Sequence, residues 1–476
     1  MLKLENSKLL SLVDSRFHPY LQGDDLPCSY LDVKRIDYTK RVDILVKIKL
    51  LESYDSGCLD LLEYYKELYL ETIYLFTDGS FVEPGDSNKK SKNDYVSSFI
   101  SLYENIREQG FNFSDGVIPI SNGVPLDGAH RVAIAYVLNI ELPVVEIDIK
   151  PVNYGIEYFS ERDAKNHIQS PLIDILTDFF DDIRIAIIWP KAKLGFSDVK
   201  SLFGESYVFS KSLNLNENGL NNLCVSAYKD ESWAGDLRNN WDGSWAKSSL
   251  CYSNDATSVV LFRPLYKGQD LEIKNALREK NFGSKHCIHS TDFKYDTQNL
   301  SKCTFSKNSE QYLNNIQLSK FSALKKEIEV EGLCGDIIVG SSFMAVLGIR
   351  KNNDIDTLNL QGSGSHNDYI SYYSSAVNIL RFKSIYRFLD VDFLDLDEIR
   401  IFKNNRCEKK DIDDIKLIDL FFKGNSKSLT SKLLVKKREV TQSFQRKRRR
   451  TILVLVDILK KVGLFHTVRN IYHSFR

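Results

Sequence analysis

The chain has 476 residues, 43% of them hydrophobic, and a formal net charge of zero from 64 basic and 64 acidic side chains. Such a length and apolar content predict two to four domains with cores of their own and exclude a disordered chain. The charge is uneven, because residues 427–476 hold fourteen Lys and Arg against two acids, so a basic tail follows a mildly acidic body that is unsuited to general nucleic-acid binding.

Eight scattered cysteines without a CxxC pair predict reduced thiols rather than a zinc ribbon or a disulfide framework. The start, MLKLENSKLLSLVDSRF, lacks the apolar run of a signal peptide, and no stretch of about 18 apolar residues offers a membrane span. The expected location is the cytoplasm.

Residues 1–150 open with helical patterns such as LDLLEYYKELYLETIYLF, cross a polar loop, VEPGDSNKKSKND, and continue through YVSSFISLYENIREQGF. They end in PLDGAHRVAIA, where a strand within GVIPISNG hands over to a helix. Asp127, Gly128, His130 and Arg131 thus fall where helix N–H groups attract anions. Gly128 lets the backbone approach a phosphate, Arg131 offers a planar fork, and His130 exchanges a hydrogen bond or a proton. Asp127 is placed to hold a metal or to orient His130. The plainer reading is ordinary capping by Asp127, with the His-Arg pair satisfying nearby groups. This order, over residues 112–150, resembles the ParB/sulfiredoxin-like domain, whose members carry a DGxHR-type signature at such a junction. The resemblance implies that the signature holds nucleotide phosphates; activities in that superfamily include phosphoryl transfer, CTP hydrolysis and, in some members, nuclease action.

Residues 151–320 read as mixed α/β, with strands in IRIAIIWP and SVVLFRPL and a helix in LEIKNALREKNF. All four Trp residues lie here; SWAGDLRNNWDGSWAK is suited to stacking a sugar or base, or to core packing. In GSKHCIHSTD, the residues His286, His289 and Asp292 recur every three positions, which on a helix would align them for a metal. The alternation instead fits a strand running into a helix cap, with Lys285, His286, His289 and Asp292 as substrate or phosphate contacts.

Residues 321–424 contain VGSSFMAVLGIRKNNDIDTL. A strand ending at Gly340-Ser341-Ser342, a short helix and then Asp354 and Asp356 on a further strand resemble the nucleotidyltransferase fold of the DNA polymerase beta superfamily. Carboxylates at i and i+2 of a strand share a face and can hold Mg²⁺ against a nucleoside triphosphate, ATP or CTP. Gly340, Ser341 and Ser342 would contact its phosphates, and Arg350 would add a phosphate contact or pair with the two Asp residues. The resemblance implies a third carboxylate, from Asp390 or Asp392, and IFKNNRCEKKDIDDIKLID suits the basic helix after such a core. A solvated turn after RKNN is the alternative for Asp354 and Asp356.

Residues 425–476 pair the basic LLVKKREVTQSFQRKRRR with an amphipathic pattern in which Leu455, Leu459, Val462, Phe465, Val468, Tyr472 and Phe475 share one side and Lys460, Lys461 and Arg469 the other. Such a helix suits an anionic membrane surface, placing the protein at the inner face of the cell membrane; docking on the body or touching nucleic acid are the alternatives.

The expected fold class is α/β (α+β) and multidomain: a helical segment with a ParB/sulfiredoxin-like domain (1–150), a mixed α/β middle domain (151–320), a nucleotidyltransferase-like domain (321–424) and a basic amphipathic tail (425–476). The order resembles multidomain proteins of bacterial capsule and O-antigen biosynthesis. It implies a transferase of phosphorus-containing groups, a kinase or nucleotidyltransferase, acting on a sugar, polyol or glycan hydroxyl. A ParB-like nuclease and a non-catalytic membrane-associated scaffold remain the rival expectations.

Overall fold

A computed structural model describes residues 2–21, 25–82, 91–111, 116–163, 167–192, 194, 196–359, 363–373, 385–425, 428–462 and 464–465. The architecture is mixed α/β with three small sheets.

The first sheet has the order β1 (Leu2–Glu5), β2 (Asp25–Leu31), β5 (Leu142–Glu146), β3 (Ile118–Ser121), β4 (Val124–Pro125). Strands β3 and β4 form a hairpin whose two turn residues, Asn122 and Gly123, have φ of 49° and 73°. That left-handed pair matches the twist of a two-residue hairpin, which is why Asn-Gly stands there. After β4 the Ala129–Leu138 helix crosses back so that β5 pairs parallel with β3. The Val42–Ser56 helix packs against it and against the Leu59–Phe76 helix. Residues 42–51 of Val42–Ser56 are buried on nearly every side, as in a helix enclosed by its neighbours, and Gly57 ends the helix at φ 67°.

The polar loop expected over residues 82–94 is shorter than the sequence suggests. Residues 83–90 lie outside the described set, and Lys92, Asn93 and Asp94 already belong to the Lys92–Gln109 helix, which a capping box between Ser91 and Asp94 starts.

The second sheet, wholly antiparallel, has the order β7 (Tyr207–Leu213), β8 (Thr257–Phe262), β6 (Arg184–Ile188), β9 (Ile288–Ser290). The third has the order β11 (Asp356–Leu358), β10 (Ile337–Val339), β13 (Val391–Leu394), β12 (Ile385–Phe388), with β10 and β13 parallel. Each sheet lies within one of the expected segments, yet the apolar interior is continuous: one cluster of buried residues runs from Val33 through Trp189 and Phe321 to Phe421. The Gln169–Phe179 helix contributes to this by packing on both Val42–Ser56 and the Lys294–Thr304 helix, which in turn covers β12. Ion pairs reinforce the joins, among them Lys49–Asp178 at 3.3 Å and Lys229–Asp390 at 2.8 Å.

The C-terminal helix spans Leu429–Lys461 without a break. The basic run expected to precede an amphipathic helix is therefore itself helical. Ser431 and Arg438 are buried at its base, whereas Phe444, Ile452, Leu455 and Ile458 are exposed and Leu459 is half-buried. Val468, Arg469, Tyr472 and Phe475 lie outside the described residues. Among the described residues, no helix is long and apolar enough to cross a membrane.

Candidate functional site

Gly128 is the N-cap of the Ala129–Leu138 helix, at φ 70° and without a side-chain cap. A Cβ there would collide with Ile118 and crowd the Arg131 guanidinium, so both the left-handed backbone and the close approach require glycine. Asp127 does not cap the helix. Its carboxylate lies 3.5 Å from Arg16 and 3.8 Å from Arg131. His130 is oriented instead by the buried Tyr69, whose hydroxyl is 2.8 Å from Nε2, and its ring packs edge-on to Phe99 at 4.7 Å.

Arg16, Asp127, Gly128, His130 and Arg131 line a cavity of about 410 Å³ that also receives Arg41, Asp43 and Lys47. The Arg41 guanidinium grips Asp43 through two bonds of 2.9 and 3.0 Å, and Lys47 Nζ reaches the same carboxylate at 3.3 Å. Burial pushes the Asp43 carboxyl up, but Arg41 and Lys47 together hold it well below the usual carboxylate range, so this buried trio stays charged. Arg41 also donates to the carbonyl of Pro125, fixing the trio to β4 directly before the turn. Arg16 is bonded to Asp14, which raises the guanidinium and lowers the carboxyl. Four cations, Arg16, Arg41, Lys47 and Arg131, face three carboxylates across the cavity, an excess of positive charge at the start of a helix.

Arg16, Arg41, Asp43, Lys47 and Tyr69 are absent from the sequence-based site. A usable signal existed for two of them: Asp43 and Lys47 are four residues apart inside a segment otherwise too apolar to be a solvated face.

The nucleotidyltransferase-like segment assembles differently from expectation. Gly340, at φ 66°, turns the chain from β10 into the short Ser341–Val346 helix, and the Asp356 carboxylate packs where a Cβ would stand. Ser341 and Ser342 are buried, and Ser342 Oγ donates to the Asp354 carbonyl at 3.2 Å. Only Asp356 is on the strand; Asp354 is exposed in the bend before it, so the shared face of an i, i+2 pair does not form. Asp356 lies 3.4 Å from His366 Nε2, and this partner, against burial, keeps the carboxyl below its ordinary value.

Neither candidate third carboxylate joins them. Asp390 occupies the β12–β13 turn and accepts from Lys229 at 2.8 Å and Tyr295 at 2.9 Å. Asp392 is clasped by Arg387 at 2.6 and 2.7 Å, opposite Ile337, whereas Asp356 lies opposite Val339. Among the described residues, no group of three His, Cys, Asp or Glu could hold a metal.

The Arg350 guanidinium is engaged by a carboxylate other than the expected pair. It forms a bidentate bond to the fully buried Asp414 at 2.7 and 2.9 Å. Lys403 and Arg438 reach Asp414 at 2.8 Å each, and Arg406 and Lys403 pair with Asp411, so the basic helices after the sheet are locked by a buried charge network.

The third cluster lies on a strand, not a helix. His289 is the middle residue of β9, and His286 and Lys285 precede that strand. Asp292 follows it and pairs with Lys274 at 3.3 Å, so the three expected ligands do not converge. His286 Nδ1 is 3.1 Å from Lys247, which also donates to the Lys285 carbonyl. Of the Trp residues, Trp189 and Trp241 are core, and Trp233 and Trp245 are exposed.

No protein-family model, curated protein or solved structure matches this chain.

Proposed function

We propose that the chain is a nucleotide-dependent transferase that moves a phosphoryl group from ATP or CTP to the hydroxyl of a sugar, polyol or glycan, with the chemistry in the cavity at the start of the Ala129–Leu138 helix. The observation that carries this reading is the gathering of four cations, the exposed Arg16 with the buried or half-buried Arg41, Lys47 and Arg131, around Gly128 and His130. Arg16 and Arg131, which share Asp127, exchange that carboxylate for phosphate oxygens, the better match for a guanidinium fork. Arg41, Asp43 and Lys47 stay fixed and supply positive field at no reorganisation cost when charge develops on the phosphate.

His130, held by Tyr69 and Phe99, takes the proton of the acceptor hydroxyl. The acceptor oxygen bonds to phosphorus as the bond to the leaving diphosphate breaks, and that electron pair departs on the nucleoside diphosphate. The ParB/sulfiredoxin-like resemblance of residues 112–150 supports the same assignment. The nucleotidyltransferase-like segment, with its carboxylates paired elsewhere, fits nucleotide binding or a framework role better than a second transfer; a divalent cation would enter with the nucleotide. The exposed apolar and basic side chains of the C-terminal helix support contact with an anionic membrane, a setting consistent with surface-polysaccharide synthesis.

Calorimetric titration of the full chain with ATP and with CTP, with and without Mg²⁺, tests this reading. One charge-assisted bond is worth about 1.5–3 kcal/mol, so Arg131→Ala should weaken nucleotide binding roughly 10- to 100-fold. Asp354→Asn with Asp356→Asn should leave the cavity's affinity unchanged. Failure of the intact protein to bind either nucleotide would sink the proposal and favour a scaffold; salt-sensitive DNA binding in its place would favour the nuclease.

A further inference from the structure

The middle sheet offers a second place where polar and aromatic groups gather, centred on Tyr228 at the end of the Glu217–Tyr228 helix. The ring of Tyr228 meets His289 of β9 at 4.5 Å, Trp233 at 5.1 Å and Trp189 at 6.4 Å, and Lys247 Nζ stands 5.5 Å over its face. Trp233 is 44% exposed, so part of this large aromatic side chain reaches solvent. It is not loosely held. The chain around it is folded by bonds from Ala234 N–H to the Glu231 carbonyl and from Trp241 N–H to the Asp236 carbonyl, and Gly243 packs so closely on the Trp233 carbonyl that a Cβ would clash.

Cations gather here, beside Asp230 and Glu231 of the loop that carries Trp233. Lys247 lies against His286, Lys191 acts on the same imidazole, and Lys274 and Arg278 approach from the Gln269–Lys280 helix. Asp292 is the carboxylate paired with Lys274, and it is largely exposed. The buried Nε of Arg278 has no hydrogen-bond partner, a cost of the kind that a bound anion offsets. Burial, with Lys247 nearby, lowers both imidazoles, His289 to about 3, so each presents one donor and one acceptor rather than another charge.

We propose that this surface, at the β9 edge of the middle sheet, binds a sugar phosphate: the ring lies on Trp233, its hydroxyls bond to His286 and His289, and its phosphate is held by Lys247 and neighbouring cations. An exposed aromatic side chain favours the apolar side of a ring, neutral imidazoles favour hydroxyls, and the gathered ammonium and guanidinium groups favour a dianion. The site shares no residue with the Gly128 cavity and stands or falls apart from it.

The test is calorimetry on the full chain with glucose 1-phosphate and ribose 5-phosphate, beside glucose and inorganic phosphate. A sugar phosphate should bind more tightly than inorganic phosphate or glucose. Trp233→Ala and Lys247→Ala, both at solvent-accessible positions, should each weaken it at least tenfold. Inorganic phosphate should respond to Lys247→Ala but not to Trp233→Ala, and Arg131→Ala should leave sugar-phosphate binding unchanged. The proposal is overturned if neither sugar phosphate binds, or if both middle-sheet variants bind like the parent. It is also overturned if Arg131→Ala abolishes binding, which would place the ligand in the Gly128 cavity and so support that reading alone.

Discussion

Replacing Asp414 by Ala would remove the centre of the charge network behind the third sheet. The carboxylate is fully buried and accepts from Arg350, Lys403 and Arg438, whose side chains are 6%, 5% and 10% exposed. After the substitution Lys403 keeps Asp411 at 3.5 Å, but the guanidiniums of Arg350 and Arg438 lose their carboxylate in surroundings that water scarcely reaches. Breaking a buried pair in this way costs about 3–5 kcal/mol. Taking about 4 kcal/mol at roughly 1.4 kcal/mol per tenfold, the opening equilibrium of the Lys409–Phe422 helix and the base of the C-terminal helix rises about a thousandfold. Amide hydrogen exchange read by mass spectrometry reports this locally, without assuming that a chain of this size unfolds in one step. Asp413→Ala is the matched control: its partner Lys437 is 64% exposed, so the loss should stay under about 1 kcal/mol. Exchange accelerated less than tenfold in Asp414→Ala, or equally in both variants, would refute the argument.

His167 sits between Glu71 at 3.0 Å and Asp163 at 2.9 Å, and the bond it donates to Glu71, outweighing burial and joined by Asp163, raises its pKa. A raised folded value means that its stabilisation is complete below the unfolded value of about 6.5 and fades as pH climbs through the folded one. The melting-temperature gap between parent and His167→Ala should therefore be widest near pH 6 and close toward pH 9; a gap that ignores pH contradicts this. The full chain should also sediment with phosphatidylglycerol vesicles at low salt. At about 1 kcal/mol per basic residue near an anionic surface, Lys447→Glu with Arg448→Glu should weaken partitioning at least tenfold. Equal partitioning onto neutral vesicles would exclude an electrostatic contact.

The turn at Gly128 was legible because its chemistry is local: a positive φ, a strand before it and a small-residue helix after it all leave marks within a dozen residues. Arg16, Arg41 and Tyr69 left none, since each is brought to the cavity by packing of distant elements, and a single Arg in sequence reads as a solvated side chain. Arg350 shows the converse failure. Its position beside a Gly-turn and two Asp residues suggested phosphate, but the partner that claims it, Asp414, lies 64 residues further on, and sequence order says nothing of that competition. In GSKHCIHSTD the alternation identified a strand correctly, whereas the three-residue spacing suggested a helix-borne metal site. On a strand, positions three apart point to opposite faces, so the backbone period decides between the two readings.

Beyond Arg438, the last buried residue noted in its helix, the chain continues as helix to Lys461, a distance of roughly 34 Å at 1.5 Å per residue. Such a segment works as a measured spacer. Adding or deleting two turns, about seven residues, would move its far end by about 10.5 Å relative to Arg438 while nearly preserving which side chains face the same way. Reach, and not only affinity, thereby becomes a property that a few residues of this helix can set.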